Sequence, residues 1–127
     1  MRLLLDTHVL LWWLTDDSRL GAAARAKIAD GDNTVFVSAA SAWEIEIKRA
    51  LGKLDAPADL ASAIERSHFE PLPISINHGI AAGRLPPHHG DPFDRILIAQ
   101  GAAEPLVIVT KDPAFGDYGV ALLDACS

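Results

Sequence analysis

The residues best equipped for chemistry in this 127-residue chain are four acids, Asp6, Glu44, Asp94 and Asp112. Oxygen-only ligands select hard, octahedral cations, here Mg²⁺ or Mn²⁺. An ion held this way suits phosphoryl chemistry, because it activates a water for in-line attack and stabilises the oxygen that leaves. Without a cation, clustered carboxylates repel one another and raise each other's pKa values. No substitute apparatus is present: the chain lacks a G-x-x-x-x-G-K-[ST] phosphate loop, a G-x-S-x-G elbow and an H-E-x-x-H helix.

Such a site requires elements that bring the four acids together. The apolar patterning predicts strands at Arg2 to Leu5, Thr34 to Val37, Leu72 to Ile74 (an edge, between prolines), Leu106 to Thr110 and Val120 to Leu123. Helices are predicted at His8 to Leu14, Gly21 to Ala29, Ala40 to Leu51 (closed by Gly52), Pro57 to Ser67, Asn77 to Arg84 and Pro92 to Ala103. The segment around Trp43 alternates like a strand. The set Trp43, Ile47, Ala50, Leu51 and Leu54 nevertheless fits helical spacing better. Alternating strands and helices imply an α/β three-layer sandwich, with a central, mostly parallel sheet of four to five strands flanked by helices.

In such sheets chemistry gathers at the carboxyl ends of the strands. Asp6 ends the first strand, Asp112 lies two residues past Leu106 to Thr110, and Glu44 is early in the helix leaving the second strand. Asp94 begins a helix roughly 18 Å long. The strand that follows runs back about 16 Å, which levels Asp94 with Asp112.

Each acid also has a plainer use. Asp91 and Asp94 have the spacing of a capping box, and Asp112-Pro113 has the same cap-then-proline form. Glu44 and Lys48 are spaced as a surface ion pair. Asp6, flanked by Leu3, Leu4 and Leu5, has no such role.

Seventeen acids against eleven bases give a formal charge of −6 and a pI near 5.2. Passive nucleic-acid binding needs Lys and Arg to displace counterions, so that class is excluded while a metal-dependent enzyme is not. With 50% hydrophobic and 22% charged residues the chain is not disordered. The one cysteine, Cys126, supports neither an internal disulfide nor a zinc cluster. Asp6 interrupts any signal peptide, and Val9 to Leu14 is too short to span a membrane. One cytoplasmic domain over residues 1–127 is expected.

In chain order, the segments Leu4-Leu5-Asp6-Thr7-His8, Ser41-Ala42-Trp43-Glu44-Ile45 with Lys48 and Gly52-Lys53, His89-Gly90-Asp91-Pro92-Phe93-Asp94-Arg95 with Leu97-Ile98-Ala99-Gln100, and Val109-Thr110-Lys111-Asp112 resemble the PIN domain, specifically VapC-type toxins of bacterial toxin–antitoxin pairs. The resemblance covers nearly the whole chain. It implies a Mg²⁺- or Mn²⁺-dependent endoribonuclease, commonly homodimeric and silenced by a cognate antitoxin. Asp6, Glu44, Asp94 and Asp112 match the family's acidic quartet, with Asp6 and Asp94 foremost for the metal. Glu44 and Asp112 would complete the site and help orient the attacking water. Asp91 is read as the helix cap, and Thr7 as a hydroxyl behind the site or a cap of the first helix. Arg95 is read as pairing with an acid inside the fold or contacting RNA. Lys48, Arg49 and Lys53 are read as a solvated face or an RNA rim.

His88 and His89 invite a zinc reading, but adjacent histidines seldom face one ion and no third nitrogen or sulfur ligand is suitably spaced. Loop structure or RNA contact is expected of them. His8 is expected beside the site. Trp12 and Trp13 are consecutive, so they cannot both face the same core, and one is expected either on a dimer or antitoxin surface or partly buried at the helix edge. Two other readings compete. A haloacid-dehalogenase-type phosphohydrolase also opens on a strand ending in Asp, but it carries an acid where this chain has His8. In a non-catalytic partner-binding domain the acids would serve only as caps.

Overall fold

The computed structural model describes residues 1–127. Five strands form, β1 (Arg2–Leu5), β2 (Thr34–Ser38), β3 (Glu70–Leu72), β4 (Val107–Thr110) and β5 (Leu122–Asp124). All pair in parallel, in the order β3-β2-β1-β4-β5. Six helices flank them, α1 (Thr7–Leu14), α2 (Ala22–Ala29), α3 (Ala39–Ala50), α4 (Leu60–Arg66), α5 (Ile76–Arg84) and α6 (Pro92–Ala103). None is long and apolar enough to cross a membrane.

Alternate side chains of a strand point to opposite faces, which divides the core in two. Leu3 and Leu5 of β1 pack with Val9 and Leu10 of α1, Ile28 of α2 and Ile45 of α3. Leu4 packs on the other face with Leu97 and Ile98 of α6, Ile108 and Phe115. Both faces of β1 are covered, so its leucines form one unbroken apolar run.

Several details differ from the sequence-based expectation. The third strand lies two residues earlier, at Glu70–Leu72. Buried Phe69 anchors its start, and as an edge strand it tolerates Pro71. Helix α4 begins at Leu60 rather than Pro57, because the Asp59 carboxylate accepts from the Ser62 amide. A 3-10 helix, Pro113–Tyr118, follows β4, and Gly119 closes it in the left-handed region at φ 72°, delaying β5 to Leu122. Both tryptophans of α1 join the same cluster, Trp12 buried and Trp13 at its margin against Phe69.

The apolar stripe that identifies α3 is not the stripe it buries. Trp43 is 62% exposed and Leu51 equally so, while Ala40, Ser41, Glu44 and Ile45 face inward. Small residues on that inner face let α3 approach the sheet, and they carry Glu44 in with it. Gly52 ends α3 at φ 70°. The Gly52 amide donates to Arg49 O and the Lys53 amide to Lys48 O, a Schellman closure. Gly52→Ala is expected to cost about 1 kcal/mol, read as a melting temperature lower by several degrees. An unchanged melting temperature would contradict that strain.

Candidate metal centre

The chain runs outward from β1 through β2 to β3, then returns to place β4 on the other side of β1. A crevice forms at the carboxyl ends of strands where such an order reverses. Asp6 follows β1 directly, and its amide continues the ladder by donating to Val109 O. Asp112 follows β4 by two residues. Thr110 links the two acids: its hydroxyl donates to Asp6 Oδ2 at 2.7 Å and accepts from the Asp112 amide at 3.0 Å. Thr110 had no assigned role in the sequence. Its signal was a hydroxyl at the end of the strand beside β1.

Asp6, Asp94 and Asp112 line one cavity of about 310 Å³ together with His8, Lys111 and Pro113. Glu44 stands behind it, 3% exposed, with Oε2 paired to Lys48 Nζ at 2.6 Å. That pair is not the surface pair its spacing suggested. Glu44 Oε1 and Asp6 Oδ1 are buried without any hydrogen-bond partner. Two hard, anionic oxygens left unpaired beside further carboxylates are the donor set a divalent cation requires. The residues fit such an ion.

Asp91 caps α6, with Oδ1 accepting from the amides of Phe93 and Asp94. The reciprocal half of a capping box is absent. The Asp91 amide goes to His89 Nδ1, and Asp94 Oδ2 instead lies 3.2 Å from His89 Nε2. The same nitrogen is 3.2 Å from Asp112 Oδ2. Asp112 also caps the 3-10 helix through Oδ1, accepting from Ala114. One carboxylate thus serves both a cap and the cavity, two uses that looked like alternatives in the sequence.

Burial, with the charges of Asp6, Asp91 and Glu44 against it and His89 in its favour, pushes Asp94 up to about 7. Burial also raises Asp6, against the Thr110 hydrogen bond that lowers it. Lys48 is raised by its bond to Glu44.

The remaining candidates lie outside the cavity. Thr7 does not cap α1. Its hydroxyl donates to Ser41 Oγ at 3.0 Å and ties α1 to α3. Arg95 pairs with no acid. It donates to four carbonyls, of Ala82, Leu85, Pro86 and His89, because the loop before α6 turns its backbone inward. Arg49 is not a solvated residue but binds Ala56 O and Pro57 O. Lys53 and Lys48 line a second cavity with His8, Trp12 and Arg19. His88 stacks edgewise on Tyr118.

The sequence profile described as "PIN domain" matches residues 3–121. The chain belongs to the PIN-domain family. This PIN domain is 30% identical over 112 residues to Ribonuclease VapC22 of Mycobacterium tuberculosis, covering 86% of this chain and 85% of that one. It is 40% identical to Ribonuclease VapC16 of the same organism over 62 residues, 47% of this chain and 44% of that one. The PIN fold is shared with VapBC2 from Rickettsia felis bound to a promoter DNA fragment, at TM-score 0.70 and 16% identity, covering 97% and 98% of the two chains. DNA-bound VapBC from Salmonella typhimurium gives TM-score 0.70 and 18% identity, with 99% of each chain covered.

Between the ordinary carboxylate value of 3.8 and about 7, Asp94 holds its proton in the folded PIN domain and loses it in the unfolded chain. Stability therefore falls as pH rises through that window. Without divalent ions, the melting temperature is expected to be higher at pH 5 than at pH 8. Saturating Mn²⁺, at about 100 times its Kd, contributes about 2.7 kcal/mol, so melting should rise by several degrees at pH 8 and far less at pH 5. Asp94→Asn should raise the ion-free melting temperature at pH 8 and remove the Mn²⁺ response. A Mn²⁺ response surviving in that variant would contradict the assignment of Asp94.

Proposed function

We propose that residues 1–127 form one PIN-like unit acting as a metal-dependent endoribonuclease, the toxin of a toxin–antitoxin pair in the cytoplasm. The observation that carries this reading is the pair of unpartnered buried oxygens, Asp6 Oδ1 and Glu44 Oε1, beside the cavity that Asp94 and Asp112 share. Asp6 and Asp94 hold Mg²⁺ or Mn²⁺, and Glu44 and Asp112 complete the site. A bound ion of this class makes water more acidic and offsets charge developing on the phosphate. Glu44 and Asp112 orient the attacking water. Its oxygen would bond to phosphorus as the bond to the departing ribose oxygen breaks, the water's proton passing to a site carboxylate and the departing oxygen taking up a proton from solvent. Thr110 and Thr7 keep Asp6 and the α1–α3 contact in register.

Ribonuclease names on the matching relatives support RNA as the substrate. The exposed stripe of Trp43, Ile47 and Leu51 on α3 supports a protein partner, read here as the antitoxin. Ile76 and Ile80, exposed on α5, support a homodimer face.

The deciding experiment is cleavage of total cellular RNA by antitoxin-free protein in Mg²⁺, Mn²⁺ or EDTA, with the new RNA ends mapped. Asp6→Asn and Asp94→Asn are near-isosteric, so each should fold and lose cleavage by at least about a hundredfold. EDTA should abolish it. Cleavage undiminished in EDTA, or in either variant, would sink the metal-site reading.

A further inference from the structure

His89 sits against two of the site's carboxylates, where the sequence left loop structure and RNA contact as its alternatives. Its Nε2 lies 3.2 Å from both Asp94 Oδ2 and Asp112 Oδ2, close enough to suggest a nitrogen ligand for the ion. The other ring nitrogen argues otherwise. Nδ1 accepts from the Asp91 amide at 3.4 Å, so its lone pair is occupied. With Nδ1 accepting, the ring's N–H lies on Nε2. His89 therefore presents an N–H, not a lone pair, to the carboxylates.

The ring is held by two contacts, from Phe115 and the Asp91 amide, and the backbone of its loop by others. It meets Phe115 edge-on, with centroids 5.7 Å apart and planes at 86°. Arg95 Nη1 donates to His89 O. Arg95 also clasps the carbonyls of Leu85 and Pro86, and Tyr118 Oη donates to Pro86 O. With its loop fastened, this 18%-exposed side chain directs Nε2 at Asp94 and Asp112, two of the acids that line the cavity.

The geometry points to His89 Nε2–H as a hydrogen-bond donor to a non-bridging oxygen of the scissile RNA phosphate, positioned by Arg95 and Phe115 and outside the ion's ligand set. The inference rests on the ribonuclease reading above. In the structure the N–H is shared by Asp94 and Asp112. A cation held by Asp94 and Asp112 would draw their charge away from His89, and the same N–H would then be available to an anionic phosphate oxygen. No proton is transferred: with Nδ1 occupied, the ring donates a hydrogen bond and keeps its proton.

The test uses an RNA oligonucleotide spanning a mapped cleavage site, with wild type, His89→Ala and His89→Gln. Gln restores an N–H donor of similar reach. His89→Ala should lower kcat/KM by about tenfold or more, and His89→Gln should recover part of that loss. Mn²⁺ affinity by calorimetry should fall by no more than about tenfold in either variant, the scale of a lost hydrogen bond to a ligand rather than of a lost ligand. Mn²⁺ electron-spin-echo spectra of the wild type should show no directly coordinated imidazole nitrogen. Coordinated nitrogen in those spectra, with Mn²⁺ affinity falling by more than about tenfold in His89→Ala, would overturn the donor role in favour of a ligand. Full activity in folded His89→Ala would overturn it outright. Failure of the wild type to cleave any RNA would instead remove the ribonuclease reading, and this inference with it.

Discussion

Burying a carboxylate oxygen without a partner costs several kcal/mol, and this fold does so at both Asp6 and Glu44. The rest of the molecule is arranged around that cost. The central strand must be apolar on both faces to sit where it does, so its last residue delivers Asp6 into a crevice rather than to bulk water. Helix α3 presents small residues to the sheet, and that close approach buries Glu44. Lys48 satisfies one oxygen of Glu44 and leaves the other. A cation supplied from solution would neutralise what the chain leaves uncompensated, and folding and metal affinity would then be parts of one free-energy balance.

The surroundings act as a rigid frame. Thr110 joins the ends of β1 and β4 by bonding Asp6 and the Asp112 amide. Thr7 joins α1 to α3. Arg95 gathers four carbonyls of the segment before α6, which fixes the loop bearing His89 and the start of the helix bearing Asp94. These groups touch no substrate in this account. They hold the carboxylates buried and close together, and Asp94 is pushed up to about 7 first by that burial and then by the neighbouring charges of Asp6, Asp91 and Glu44.

Much of this was legible in the sequence. The alternation of strands and helices implies the parallel sandwich, and the carboxyl-end rule alone puts the acids at one edge of the sheet. Gly52 and Asp91 marked helix ends through local chemistry that does not depend on tertiary contacts. What was hidden depended on distant partners. Which stripe of α3 is buried is decided by the sheet's need for small residues, so Trp43 and Leu51 point outward despite their hydrophobicity. Arg95 binds backbone carbonyls, and spacing along a chain does not reveal which carbonyls turn inward. His89 acquires its place only when the loop, α6 and the end of β4 meet. Trp12 and Trp13 both reach the same cluster because α1 is wedged between β1 and Phe69, which a helical wheel cannot show.

The most direct test of the central claim is a crystal structure of the protein grown or soaked with Mn²⁺, with anomalous scattering used to locate the ion. A peak is expected within coordination distance of Asp6 and Asp94 oxygens, with Glu44 and Asp112 at the ion directly or through one water. An anomalous map with no peak in that cavity, while Asp6 Oδ1 and Glu44 Oε1 remain unpaired, would contradict it.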